Sequence, residues 1–136
     1  MTNMWYLDDK PFEPTEEFLK QYHGFVYEVT ELATGKKYIG KKGFWSTRRL
    51  PPLKGKTRKR LTIKESDWRD YHGSSEEVKR LVEDGGVFRR DILRLCKTKG
   101  ECSYYEAKAQ FDKDVLFDDT YYNEFIGCKI HSKHLK

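Results

Sequence analysis

Glu106 is the residue of this chain whose surroundings ask most for chemistry. It lies in residues 101–115, where Glu-Ala-Lys-Ala-Gln is strongly helix-forming, and its neighbours at i−4 and i+4 are Cys102 and Gln110. A carboxylate drawn partly out of water needs a partner or a metal ion; the plainer alternative is a surface glutamate paired with Lys108 or Lys113. Two tyrosines form a second group. Residues 25–29 and 37–39 are β-prone runs on either side of Ala33-Thr34-Gly35-Lys36, which reads as a hairpin turn. Alternation puts Phe25, Tyr27 and Val29 on one face and Val26 on the other, and sets Tyr38 and Gly40 on a common face of the second strand. Each strand thus presents one tyrosine, and Gly40 lets backbone or ligand come close.

The third group is a block of charge. Residues 36–64 hold twelve of the 27 Lys and Arg and no acid. A stretch so one-sided suits a polyanion, most commonly phosphate. Residues 1–31 are the opposite, with seven acids against two bases. The chain as a whole has 136 residues and a net charge of +5. It is 37% hydrophobic and 36% charged, which predicts one domain with a modest core and a heavily ionised surface. Aromatic residues at 15% argue against disorder. No apolar run approaches membrane-spanning length and no signal peptide is recognisable, so the expectation is a soluble, intracellular, cytoplasmic protein without a membrane partner. Three cysteines fit that compartment. Cys96, Cys102, Cys128 and His131 could be gathered around zinc, but their spacing lacks the C-x2-C knuckle, and small buried thiols are the preferred reading.

The elements that must position these groups follow in chain order. Residues 1–22 read as an acidic extension in which Trp5, Tyr6, Leu7 and Phe12 dock. A short helix starts at Pro14-Thr15 and runs to about Tyr22, and Gly24 stops it. In the basic block, Pro51-Pro52 and Gly55 are expected to break regular structure, with a short helix or turn over residues 44–50. Trp68 and Tyr71 suit one face of a helical turn. Ser74-Ser75-Glu76-Glu77 is a capping box opening a helix to about Glu83, ended by Gly85-Gly86. A mostly buried strand over residues 87–95 and the helix carrying Glu106 come next. Residues 129–136 form a basic tail.

Set side by side, these residues resemble the GIY-YIG nuclease domain. Phe25-Val26-Tyr27, then Tyr38-Ile39-Gly40 eleven residues on, a basic residue ten beyond that, a helix glutamate and a late asparagine fall in that family's order. Lys41 extends the second motif as in the incision subunit of bacterial excision repair. Trp68 followed by Tyr71-His72-Gly73-Ser74-Ser75 is similar to phage-encoded nucleases of the homing-endonuclease group. The resemblance covers about residues 23–128, with 1–22 and 129–136 outside it. It implies an α/β (α+β) fold, a central three-stranded antiparallel sheet flanked by helices. It also implies hydrolysis of DNA phosphodiesters with a divalent ion, usually Mg2+, for which Mn2+ can substitute.

By the same resemblance, Glu106 matches the carboxylate metal ligand, Tyr27 the tyrosine that activates the attacking water and Tyr38 a residue orienting water or phosphate. Arg48 matches the arginine on the scissile phosphate, and Asn123 the asparagine that braces the site. The family's histidine four residues after the arginine falls on Pro52, and His72 is the candidate to replace it. Lys41, Lys42, Arg49, Lys54, Lys56, Arg58, Lys59 and Arg60 are the expected nucleic-acid-binding residues, with Arg49 and Arg58 as alternatives to Arg48. The competing readings are an inert nucleic-acid-binding module on the same fold and a structural protein in a larger assembly. Without an attached DNA-binding domain in the sequence, recognition is expected to fall to loops or to a homodimer.

Overall fold

Phe25-Val26-Tyr27-Glu28-Val29 is dense in β-formers, and the strand it builds is buried along almost its whole length. The computed structural model describes residues 4–58, 60–127 and 129–135. The elements are β1 (Trp5–Leu7), β2 (Lys10–Pro11), α1 (Glu16–Leu19), β3 (Gly24–Glu31), β4 (Lys37–Gly43), β5 (Trp45–Leu50), β6 (Arg60–Glu65), a 3-10 turn (Trp68–Asp70), α2 (Glu76–Glu83), β7 (Phe88–Cys96), α3 (Lys99–Asp112) and a second 3-10 turn (Ser132–His134). The main sheet has the order β2-β1-β7-β3-β4. The expected three antiparallel strands are its β7-β3-β4 portion. The sheet is nevertheless five-stranded, because β1 adds in parallel to β7 and β2 pairs with β1.

Alternation along β3 sorts its side chains between two cores, as the sequence predicts. Phe25, Tyr27 and Val29 join Trp5, Phe44, Trp68, Val78 and Phe88 on one face. Val26 joins Ile39, Cys96, Cys102 and Val115 on the other, under α3. Cys96 and Cys102 are free, buried thiols in that second core, and Cys128 lies outside the described residues.

The basic block departs from expectation. Residues 45–50 are a strand, neither helix nor turn, and they pair with β6 in a separate two-stranded sheet. The prolines and Gly55 disrupt only the loop between these strands. Both faces of the ribbon are largely solvated, and the one alternation in its sequence, Leu61-Thr62-Ile63-Lys64, is too short to betray it. Its root is fixed. Phe44 is buried, donates its N–H to His23 O at 2.9 Å and accepts from the Ser66 N–H at 2.8 Å. Trp45 Nε1 donates to Tyr22 O at 3.1 Å.

The helices depart from expectation only at their ends, and α3 runs Lys99–Asp112 in place of 101–115. The first is one turn, Glu16–Leu19, capped by Thr15. In the second the cap is Ser75, whose Oγ accepts from the Val78 N–H, and Ser74 is released for another contact. Thr98 caps α3 by accepting from the Glu101 N–H at 3.0 Å. Residues after α3 return to the outer edge of β4. Lys37 donates its N–H to Thr120 O and accepts from the Tyr122 N–H, both at 2.7 Å.

Candidate active site

β4 is an edge strand of the sheet, and the candidate site forms where that edge reaches Gly40. In register Tyr27 lies opposite Gly40, and Val29 opposite Tyr38. Tyr27 is fully buried, and its hydroxyl makes no well-formed hydrogen bond, with the Tyr71 side chain its nearest polar companion. The reason it fits is local. A Cβ at residue 40 would collide with that hydroxyl, and one at residue 73 would stand 3.4 Å from it. Glycine at both places brings main chain up to the phenol. Gly73 also sits at φ +125°, which other residues rarely adopt. The Tyr27 ring lies 6.4 Å from Tyr38 and 6.0 Å, edge-on, from Tyr71. Tyr38 Oη and Ser74 Oγ are 2.9 Å apart, which ties β4 to the segment preceding α2. Burial raises the Tyr27 pKa well above its ordinary value, with Tyr71, Tyr38 and the Glu106 charge adding to it. The Tyr38 pKa is raised by burial too, opposed by the Ser74 hydrogen bond.

Glu106 reaches this place from α3. Burial raises its pKa, and the Lys41 ammonium and main-chain N–H draw it back. Lys41 Nζ donates to Ser103 Oγ, one helical turn earlier, at 2.7 Å. Lys108 and Lys113 are engaged elsewhere, with Asp112 and Glu28 respectively. Glu106 is therefore not the surface ion-pair glutamate of the plainer reading.

Ile39, between the two tyrosine-facing positions of β4, is held by side chains in place of a neighbouring strand. Asn123 Oδ1 accepts from its N–H at 3.0 Å. Asn123 Nδ2 and Gln110 Nε2 both donate to its carbonyl, at 2.8 and 3.0 Å. Both amides are buried, and three buried hydrogen bonds on one residue fix the strand between Tyr38 and Gly40.

The opposite wall is fastened by Arg90. It is fully buried, lies 4.7 Å over the Trp5 ring, and donates from Nη1 to the carbonyls of Arg69 and Tyr71, each at 2.8 Å. Burial lowers its pKa to about 10, so it remains a cation at neutral pH. It fixes the turn that leads into Tyr71, His72 and Gly73. His72 is half-buried, its Nδ1 3.0 Å from Asp70 O. Its pKa is lowered, first by burial and then by Arg90. A histidine with a depressed folded pKa contributes stability above its unfolded value, about 6.5, that is lost as pH falls through the folded value. His72→Gln is thus expected to flatten the loss of urea stability between neutral and mildly acid pH; an unchanged slope would contradict the burial of this ring.

Of the residues singled out in the sequence, Tyr27, Tyr38, Lys41 and Glu106 gather around Gly40, Asn123 is coupled to them through Ile39, and His72 lies in the adjoining segment. Arg48 stands apart on β5, exposed. Arg49, Lys54, Lys56, Arg58 and Arg60 are exposed on the same ribbon or its loop, and Lys59 lies outside the described residues. Lys42 is spent internally, 2.6 Å from Asp67 Oδ1 and 4.2 Å over the Tyr71 ring. The parts that Gln110, Ser74 and Arg90 play in holding the site are not anticipated from sequence, where Gln110 reads only as a neighbour of Glu106 and Ser74 only as part of a capping box. The i+4 spacing of Gln110 from Glu106 marks it as a neighbour but not as a clamp on Ile39, and nothing local marks Arg90 as buried.

Gly40→Ala tests this packing. The new methyl must displace a hydroxyl that has no free space, and overpacking of this kind costs about 1–3 kcal/mol. Urea denaturation should show that loss, and a midpoint equal to wild type would mean Tyr27 has room to move.

No curated protein and no solved structure matches the chain. One family model does, over residues 5–126, and it is described as "Putative endonuclease segE, GIY-YIG domain". That match runs from β1, through both tyrosine strands, past the asparagine that clamps Ile39, and it settles descent where single residues could not: the chain belongs to the GIY-YIG endonuclease family.

Proposed function

We propose that this family member is a divalent-metal-dependent endonuclease hydrolysing DNA phosphodiesters, of the phage-encoded homing type. The observation that carries the reading is the convergence of Tyr27, Tyr38, Lys41 and Glu106 at one point of a sheet edge. Glu106 suits a hard cation. It is one oxygen-donor side chain whose burial penalises its charge, and a bound cation would relieve that penalty. Among the described residues no group of three or more His, Cys, Asp and Glu side chains is placed to share a metal ion. A Mg2+ ion, with Mn2+ as substitute, would be held here by this one carboxylate together with waters and substrate oxygens. Bound there, the ion would acidify a water and neutralise charge on the phosphate.

The protein's own groups account for the rest. Tyr27, a neutral phenol at pH 7 whose ionisation burial disfavours further, is the group that would orient the nucleophilic water, which requires the main chain at Gly40 and Gly73 to give way to admit that water to its buried hydroxyl. Tyr38, steadied by Ser74, orients water or a phosphate oxygen beside it. Lys41 adds positive charge where the pentavalent phosphorus would develop negative charge. Asn123 and Gln110 hold the strand that spaces these groups, and the ribbon carries Arg48 and its basic neighbours to the DNA. No helix among the described residues is long and apolar enough to cross a membrane.

Supercoiled plasmid incubated with purified protein and Mg2+ should be nicked or linearised, and chelator should stop it. Binding without cleavage on plasmid, nicked and branched DNA, with either Mg2+ or Mn2+, would favour an inert binding module.

A further inference from the structure

The β5–β6 ribbon has two unlike faces. Directly opposed residues of an antiparallel pair share a face, so the register places Ser46 with Lys64, Arg48 with Thr62, and Leu50 with Arg60 on one side. Trp45 with Glu65, Thr47 with Ile63, and Arg49 with Leu61 occupy the other. The first face holds three cations, two hydroxyls and no acid. Its charges alternate between the strands, Lys64, Arg48, then Arg60, so that no two cations oppose each other directly. The second face holds one cation and one acid, and its root is turned into the body by the Trp45–Tyr22 hydrogen bond. Leu61 and Ile63 on it are 65% and 68% exposed, so neither is packed on the domain.

We infer that the face carrying Ser46, Arg48, Arg60, Thr62 and Lys64 enters the major groove of B-form DNA and selects the sequence at which the enzyme binds. This rests on DNA being the substrate. Two strands about 4.8 Å apart, with their side chains, suit a groove about 12 Å wide, which admits a two-stranded ribbon. Arginine beside a hydroxyl is chemistry that reads base edges, the guanidinium pairing with guanine O6 and N7 and the hydroxyl adapting to its neighbour. Lys54, Lys56 and Arg58, exposed in the loop beyond, fall on phosphates and give affinity without sequence information. Arg60 Nε donates to Pro51 O at 3.3 Å, which closes the ribbon's outer end and limits fraying. The groove argument also discriminates against RNA. An A-form duplex has a deep, narrow major groove that side chains cannot read.

The test compares two double variants of equal charge, Arg48→Gln/Arg60→Gln and Arg49→Gln/Lys56→Gln, with wild type. Binding is measured in chelator on a randomised DNA duplex pool, with bound molecules sequenced, and on matched DNA and RNA duplexes. Wild type should enrich a short motif and bind its DNA duplex at least about tenfold better than the RNA duplex. Both variants should lose affinity, and Arg49→Gln/Lys56→Gln should reduce the salt slope by roughly one unit through the lost Lys56 phosphate contact. Only Arg48→Gln/Arg60→Gln should erase the enrichment. No enrichment by wild type, equal DNA and RNA binding, or equal loss of enrichment in both variants overturns the inference. Plasmid cleavage with Mg2+ is scored separately: a wild type that cleaves without enriching any motif refutes the reading face and leaves the nuclease intact, while one that enriches but never cleaves refutes the nuclease.

Discussion

Glu106→Gln should abolish DNA cleavage while leaving the protein folded and able to bind. The substitution keeps the side chain's shape and removes the charge that would hold a hard cation. A loss of roughly a thousandfold or more is expected if water activation and phosphate neutralisation both depend on it. Stability should not fall. A carboxylate whose folded pKa is raised is one whose charged form the fold disfavours, so neutralising it at pH 7 removes a penalty. Binding in chelator should be equal or tighter, because a negative charge facing phosphates has gone. Single-turnover cleavage over a range of Mg2+ concentrations checks the claim, and near-wild-type rates at any of them would remove Glu106 from the metal site and bring Glu101 forward.

Tyr27→Phe should separate activity from stability in a second way. The hydroxyl it deletes is buried with only the Tyr71 side chain to meet it, and a poorly satisfied group of this kind costs about 1–3 kcal/mol of desolvation. Removing it should raise the free energy of unfolding by about 1 kcal/mol, while cleavage falls by about a hundredfold through loss of the group that orients the water. Metal binding should persist, since Glu106 is untouched. A destabilised Tyr27→Phe would mean the hydroxyl is satisfied, and an active one would reduce Tyr27 to a core residue. Stabilisation together with inactivation is the outcome expected of a functional group buried at a cost to the fold.

The central hairpin, α2, β7 and α3 were legible in the sequence because each carries its own local signal. Thr34-Gly35 makes the turn, Ser75 caps one helix, and the Phe25/Tyr27/Val29 alternation is read directly as one buried face. Tyr27, Tyr38, Glu106 and Asn123, the proposed site residues, are grouped in the sequence only by their order, since each is ordinary alone. What escaped was nonlocal. β1 and β2 are three and two residues long, too short for any periodicity, and the pairing of β1 with β7 joins residues far apart in the chain. The ribbon escaped because charge covers both its strands and two prolines dominate its loop. Arg90 escaped because a guanidinium next to Arg89 reads as surface, and only the Arg69 and Tyr71 carbonyls and the Trp5 ring make its burial tolerable.

The position of β7 between β1 and β3 has a consequence for biosynthesis. On the ribosome, β1 and the β3–β4 hairpin emerge first, yet their shared partner spans Phe88–Cys96. Until that strand clears the exit tunnel, β1 and β3 each present an unsatisfied row of amides and carbonyls toward the gap, with Trp5, Phe25 and Val29 uncovered. Such nascent edges invite pairing with other chains, and sheets closed by distant segments form slowly. The sheet can therefore close only after Phe88–Cys96 has been made, and until then the facing edges of β1 and β3 stay open to pairing with other chains.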